Sequence, residues 1–167
     1  MTWKKEFSKP NQSFNMMILA CLIGIVAGLR AMTPIAAISW AAHLGWLPVQ
    51  GTWLSFLGAG ITTYVATALA VGELVTDKLP TTPSRKIPMQ FGARILSGAL
   101  CGAAIATSGG AIWLGLFLGA LGAVIGTFGG AAVRAWLARA FRKDLPAALL
   151  EDVIAVGGAI LIVSRFA

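Results

Sequence analysis

The chain has 167 residues, of which 57% are hydrophobic and 11% are charged, and its mean hydropathy is +0.82. Soluble globular chains carry about 25% charged residues, so this composition excludes an ordinary soluble domain. The net charge of +7 fits the excess of lysine and arginine in the cytoplasmic loops of membrane proteins. The basic residues do not form a separate basic domain that would indicate nucleic-acid binding. The sequence therefore predicts an all-α, polytopic transmembrane helix bundle.

Apolar runs divide the chain into a cytoplasmic N-terminal segment, residues 1–15, and a single transmembrane domain, residues 16–167. A membrane-spanning helix needs about 20 mostly apolar residues, which gives about five spans. The first span is longer than one crossing requires and contains Arg30 and Pro34, so we expect it to tilt or break. The predicted spans are residues 16–44, 53–75, 91–110, 112–141 and 147–163.

Lysine and arginine are distributed unevenly among the predicted loops. The loops after the first and third spans contain neither residue, whereas the loops after the second and fourth spans contain several. Tryptophan gathers near the loops without cations, as it does at membrane interfaces. Because cytoplasmic loops carry the excess of lysine and arginine, the pattern predicts an N-inside, C-outside orientation.

Glycines in the fourth predicted span alternate at spacings of four and three, which places them on one helix face. Such a face lets another helix backbone approach closely. The first two and last two spans could also form an inverted repeat, and the odd span number would fit a homodimer with a shared site. The glycines are Gly115, Gly119, Gly122, Gly126 and Gly129, with Gly24, Gly28, Gly98 and Gly102 as partners in the first and third spans.

Four of the six acidic residues lie at the ends of apolar segments, as Glu73 with Asp77 and Glu151 with Asp152. Carboxylates four residues apart on a helix repel each other, and a low dielectric raises that cost. A basic residue, a cation or a proton should therefore neutralise them. They are either interfacial ion pairs that fix the helices, or the lining of a polar cavity with a role in ion coupling or metal binding.

Arg30 lies about 20 Å of helical rise into the first predicted span, past the membrane midplane. An arginine at that depth costs roughly 3 kcal/mol on insertion scales. Gly28, Thr33 and Pro34 surround it, and these residues suit a helix that kinks or partly unwinds. Arg30 either extends to the outer surface, or is buried and binds an anionic group or one of the acids.

The other candidate anion-binding residues lie on the predicted cytoplasmic side. Arg85 belongs to a linker whose prolines prevent a continuing helix, near the N-terminus of the third span, which attracts negative charge. It either binds lipid phosphate or a soluble anion, or it only sets the topology. The predicted substrate-binding residues are Arg30, Thr33, Arg85, Arg94 and Arg134, and the predicted ion-coupling or metal residues are Glu73, Asp77, Glu151 and Asp152.

Three sequence blocks resemble a family of small bacterial integral membrane proteins, the domain of unknown function 4126. The blocks are GLRAMTP, then GELVTDKLPTTPSR followed by ARILSGALCGA, then GTFGGAAVRAWL followed by LLEDVIAVGGA. The resemblance covers most of the chain after Met16 and implies a multi-pass protein of the bacterial inner membrane. It implies no activity, cofactor or residue role.

The leading hypothesis is a small transporter or permease-like protein that binds a polar solute, either anionic or ion-coupled. Its arginines would contact the anion, and its carboxylates would carry the coupling proton or cation. The first alternative is a membrane-embedded enzyme acting on a lipid or isoprenoid phosphate, with Mg²⁺ or another cation held by the carboxylates. The second alternative is a non-catalytic scaffold. The expected partners are the lipid bilayer and a small solute or lipid phosphate, and not nucleic acid.

Overall fold

The structure is a computed structural model that describes residues 9–78 and 88–167, with side chains from residue 13 onward. The described residues form helices and no strand, as predicted. Three helices are long and apolar enough to cross a membrane, and two shorter helices are also apolar. The helices are α1 Lys9–Leu29, α2 Met32–His43, α3 Gly60–Thr76, α4 Pro88–Ala106, α5 Ile112–Phe141 and α6 Asp144–Val163, with 3₁₀ turns at Trp53–Gly58, Thr107–Gly109 and Ser164–Phe166.

The long first apolar run is not one span but two helices that meet at Arg30 and Ala31. The amide of Arg30 still donates to the carbonyl of Val26 over 2.8 Å. The amides of Ala31 and Met32 instead donate to the carboxylate of Glu73 on α3, each over 2.8 Å. The hydrogen-bond ladder of α1 therefore stops where a side chain from another helix replaces its carbonyl acceptors.

Helix α2 turns back after the break. Its first residue, Met32, lies beside Glu73 near the end of α3, whereas Ser39 accepts a hydrogen bond from Thr63 near the start of α3 at 3.4 Å. The two helices are therefore antiparallel. The buried side of α2 joins the same apolar core as α1, α4 and α6, so α2 runs back alongside the bundle and does not extend α1.

Both ends of the described chain lie at the same end of the bundle. Met16 of α1 lies next to Gly109 in the turn between α4 and α5. Asn15 and Met16 also line one crevice together with Arg165 and Phe166. The predicted N-inside, C-outside orientation puts these segments on opposite sides, so it is wrong. The reason is the reversal of α2, which the prediction counted as a continuation of the first span.

The glycines of α5 let α1 and α4 approach closely, as their spacing predicts. A methyl group added to Gly24 or to Gly98 would collide with the backbone of Gly119. One added to Gly126 would collide with the backbone of α1. Gly129 is the exception, because an added methyl group there meets nothing within 4 Å. The predicted packing face therefore ends before Gly129.

Helices α1 and α5 run in the same direction, because successive positions of one meet successive positions of the other. Gly24 lies against Gly119, and further along, the carbonyl of Gly28 accepts a hydrogen bond from Thr127 at 3.3 Å. The predicted inverted repeat requires the segments around these glycines to run in opposite directions. That prediction is therefore wrong.

The two ends of the bundle carry different residues. We call one the aromatic end, where residues 44–59 and the start of α5 expose Trp46, Trp53 and Trp113. We call the other the charged end, which includes the end of α3, the start of α4 and the turn between α5 and α6. The candidate site residues that the structure describes lie between the α1–α2 break and the charged end.

Candidate functional site

The centre of the candidate site is the guanidinium group of Arg30, which has no exposed surface. Its Nη1 donates to Asp77, which follows α3, and its Nη2 donates to Asp152 of α6. Burying a charge is costly unless it is paired and hydrogen-bonded. Arg30 therefore does not extend to the surface, and it brings together one acid from each of the two acidic groups in the sequence.

Two further ion pairs extend this contact into a larger cluster. Lys78 Nζ lies 3.0 Å from Asp152 Oδ2, and Arg94 Nη2 lies 3.8 Å from Glu73 Oε1. The formal charges of these residues sum to zero, and buried charges are less costly when an opposite charge compensates each of them. We call this set the Arg30 cluster, and its members are Arg30, Lys78 and Arg94 with Glu73, Asp77 and Asp152.

The Arg30 cluster also satisfies the broken backbone between α1 and α2. The last carbonyls of a helix and the first amides of the next have no partners within their helices, and they carry partial negative and positive charge, respectively. Arg94 Nη1 donates to the carbonyls of Gly28, at 2.8 Å, and Leu29. Glu73 accepts from the two amides at the start of α2. An arginine and a carboxylate thus stabilise the two helix ends.

A second cluster lies near the turn between α5 and α6, and we call it the Arg134 cluster. Arg134 donates to both oxygens of Asp144, at 3.1 and 2.6 Å, and its Nη1 lies 3.5 Å from Glu151 Oε2. Glu151 and Asp152 are successive residues of α6 and point to different faces. Asp152 contacts Arg30, whereas Glu151 contacts Arg134. The adjacent acids therefore belong to different clusters.

Two buried polar groups at the break have no hydrogen-bond partner among the described residues, namely Arg30 Nε and the hydroxyl of Thr33. Thr33 lies in the first turn of α2 and is only 7% exposed. An unpaired buried donor is costly, and native structures usually satisfy such groups with protein or ordered water. These two groups are consistent with a site that accepts water or a polar solute.

The four predicted ion-coupling or metal residues all lie within ion-pair distance of arginines in the described part of the chain. No group of three or more histidine, cysteine or acidic side chains converges there. Glu73, Asp77, Glu151 and Asp152 each pair with an arginine instead. Mg²⁺ requires oxygen ligands in nearly octahedral geometry. Because each carboxylate is paired with an arginine, the predicted metal-binding role stays a prediction.

The predicted residues fall into two clusters. Arg30, Glu73, Asp77, Arg94 and Asp152 lie in the Arg30 cluster, Thr33 lies beside it, and Arg134 and Glu151 lie in the Arg134 cluster. Arg85 lies outside the described residues. The binding and coupling roles of all these residues stay predictions.

Asp144 is not among the residues that the sequence analysis singled out. It lies about two helical turns before Glu151, a spacing that puts both carboxylates on one face of α6. Ser97 was also missed, and its hydroxyl donates to the carbonyl of Ala31 at the break. No pattern near Ser97 in the sequence indicates that contact, because it joins α4 to a distant segment.

A family model matches nearly the whole chain. The family is described as a domain of unknown function (DUF4126), and the match covers residues 17–165. That range runs from the apolar part of α1 to the end of α6 and includes both charge clusters. No curated protein and no solved structure matches the chain. The chain therefore belongs to the DUF4126 family.

Proposed function

We propose that this protein is a small transporter of the bacterial inner membrane that moves a polar anion together with a proton, and that the Arg30 cluster is its site. The observation that supports this most strongly is a formally neutral set of charges, centred on the fully buried Arg30, at the break between two helices. Broken helices whose ends face ions and substrates near the bilayer midplane recur in secondary transporters. The three helices long enough to cross a membrane would provide the bilayer setting.

The charge balance of the Arg30 cluster suggests how proton and anion would be coupled. Arg30 is held by Asp77 and Asp152, and in the proposed cycle the coupling proton binds Asp152, which would leave the cluster with one net positive charge. An anion bound beside Arg30 would restore neutrality. Because a low dielectric disfavours uncompensated charge, each ligand would strengthen the binding of the other. The proposal therefore predicts electroneutral co-transport.

The start of α2 would contribute the second half of the anion site. The N-terminus of a helix attracts anions through its unpaired amides and its dipole. At present Glu73 accepts from the amides of Ala31 and Met32. An anion that displaced Glu73 would meet these two amides, and the unpaired hydroxyl of Thr33 lies in the same helical turn. The internal carboxylate thus occupies the place proposed for the substrate.

A non-catalytic scaffold is the second candidate, and a specific observation favours it. Each charged side chain of the Arg30 cluster already has an oppositely charged partner within that cluster. The same contacts also satisfy the helix ends at the break. A cluster that only holds helices together would have this geometry too. The scaffold candidate predicts that no solute crosses the membrane through this protein.

Flux through reconstituted liposomes distinguishes the two candidates. Liposomes that contain the purified protein are supplied with inorganic phosphate or with small mono- and dicarboxylates, with and without an inward proton gradient. We expect the gradient to accelerate uptake of at least one anion. The variant Asp152→Asn cannot take up and release the proton, so we expect it to lose gradient-driven uptake and to retain exchange of anion for anion.

The matched control is Asp144→Asn, which makes the same change in the Arg134 cluster and should leave both activities intact. Absence of flux for every anion in the wild-type protein would support the scaffold. Gradient-driven uptake by Asp152→Asn at the wild-type rate would remove this carboxylate from the coupling role.

A further inference from the structure

An apolar crevice lies beside the Arg134 cluster, between α5 and α6, with α1 as its third wall. Its volume is about 280 Å³. Aliphatic side chains such as Ile25, Leu137 and Ile154 line it, and its charged lining residues in the described part of the chain are Arg134 and Glu151. Those two pair with each other at 3.5 Å. The crevice is therefore an apolar space that is not interrupted by an uncompensated charge.

The length of the crevice matches one leaflet of a bilayer. It extends along α5 from Ile125 to Leu137, which is about 18 Å of helical rise. One leaflet of the hydrocarbon core is about 15 Å thick. Because Leu137 lies near the end of α5 and Ile125 near its middle, the crevice would lie in the leaflet on the side of the charged end.

The turn beyond the crevice is basic. The exposed basic residues of this turn are Arg139, Arg142 and Lys143. The neighbouring Arg134 cluster contains one arginine and two carboxylates. Cations outnumber acids four to two in this region, counting both groups. Exposed basic residues at a membrane surface attract anionic lipid headgroups. An apolar slot that leads to a basic surface complements a lipid with an apolar chain and an anionic head.

We propose that this crevice binds one acyl chain of an anionic phospholipid, with the lipid phosphate at the basic turn between α5 and α6. The aliphatic walls exclude water and favour the hydrocarbon chain, and the positive turn selects the charge of the headgroup. This lipid site is separate from the Arg30 cluster. It stands whether or not the protein transports an anion, because its test measures bound lipid and not flux.

Gly129 gives a direct test, because it lines the crevice and has open space at the position of an added Cβ. Gly129→Leu should therefore fill the crevice without colliding with the backbone. Gly72 of α3 also has open space, so Gly72→Leu adds the same side chain on a different surface. The full-length proteins are equilibrated with mixed phosphatidylglycerol and phosphatidylcholine, and retained lipid is measured by native mass spectrometry.

We expect the wild-type protein and Gly72→Leu to retain one phosphatidylglycerol, and Gly129→Leu to lose it. In a double variant, Arg139→Gln with Arg142→Gln, we expect lipid to remain but the preference for phosphatidylglycerol over phosphatidylcholine to disappear. Circular dichroism shows whether each variant is folded. If Gly129→Leu does not fold, Gly129→Ala replaces it and should weaken retention, because it adds one methyl group to the crevice.

Three results would overturn the lipid site. The first is a folded Gly129→Leu or Gly129→Ala variant that retains as much phosphatidylglycerol as the wild-type protein does. The second is equal retention of phosphatidylcholine and phosphatidylglycerol by the wild-type protein. The third is a wild-type protein that carries no lipid. This result includes the case in which a second copy of the chain covers the crevice, and the mass of the assembly would reveal that dimer.

Discussion

The Arg30 cluster and the Arg134 cluster use the same arrangement in different surroundings. In each, one arginine contacts two carboxylates from separate positions in the chain. Arg30 has no exposed surface, whereas the side chain of Arg134 is 17% exposed and that of its partner Asp144 is 63% exposed; only its second partner, Glu151, is buried. Exposed pairs contribute about 0–1 kcal/mol, but removing one partner of a buried pair costs about 3–5 kcal/mol. Burial, and not residue type, determines how strongly each cluster constrains the fold.

The difference in burial follows from the lengths of the helices. Arg30 lies at the break, where α3, α4 and α6 each supply a partner to the α1–α2 segment. Arg134 lies on the part of α5 that extends beyond Thr127, which contacts the end of α1. Fewer helices surround that part of α5. The same charged residue types therefore leave Arg30 fully enclosed in one place and Arg134 partly exposed in the other, where Asp144 faces solvent.

The largest expected effect comes from Arg30→Gln. This change removes the cation between the buried Asp152 and the partly buried Asp77, so the free energy of unfolding should fall by about 3–5 kcal/mol. Chemical unfolding in detergent micelles measures that change, and the proposed anion flux should be abolished. Membrane insertion should persist because the apolar helices are unchanged.

The matched control for Arg30→Gln is Arg139→Gln, which removes an exposed arginine of the same chain. It should change stability by less than about 0.5 kcal/mol. If Arg30→Gln also cost less than about 1 kcal/mol, the buried cluster would behave like an exposed one, and the contrast between the two clusters would disappear.

Several features could be predicted because they depend on residues close together in the sequence. Arg30 lies deep in an apolar run, and the cost of charge at that depth indicated a buried role before any partner was known. The spacing of Glu73 and Asp77 indicated a need for neutralisation. The glycine spacing in α5 indicated close helix packing. Each of these inferences needs only local pattern and a physical cost.

The reversal of α2 could not be predicted in the same way. Pro34 is compatible with a kink in a continuing helix and also with the first turn of a new one. The choice between them depends on Glu73 and Arg94, which lie far away in the sequence and bind the two broken ends. Because the orientation of the chain depends on that reversal, the error in α2 also made the predicted position of the termini wrong.

Gly129 shows a similar limit of local pattern. It continues the spacing of the packing glycines, but α1 ends at Leu29, so nothing approaches Gly129 within 4 Å of an added Cβ. The periodicity of one helix does not indicate where its neighbour ends. The open space at Gly129 is part of the crevice for which we propose a lipid chain.

An intermediate effect is expected for Glu73→Gln, at the edge of the Arg30 cluster. Glu73 accepts from the amides of Ala31 and Met32 with its two carboxylate oxygens. Glutamine retains one acceptor oxygen, so one amide loses its partner and stability should fall by about 1–3 kcal/mol. Chemical unfolding measures the loss, and hydrogen exchange at these two amides should become faster. Unchanged exchange would mean that Glu73 does not hold the break.

The smallest effect is expected for Asp144→Asn in the Arg134 cluster. This exposed pair should contribute about 0.2–1 kcal/mol, and the loss should shrink with salt, because the Debye length falls from about 8 Å at 0.15 M to 3 Å at 1 M. The same salt titration should hardly change the effect of Arg30→Gln, since buried pairs are screened much less. A cost for Asp144→Asn that is large and insensitive to salt would show that the α5–α6 turn is as closed to water as the centre of the bundle.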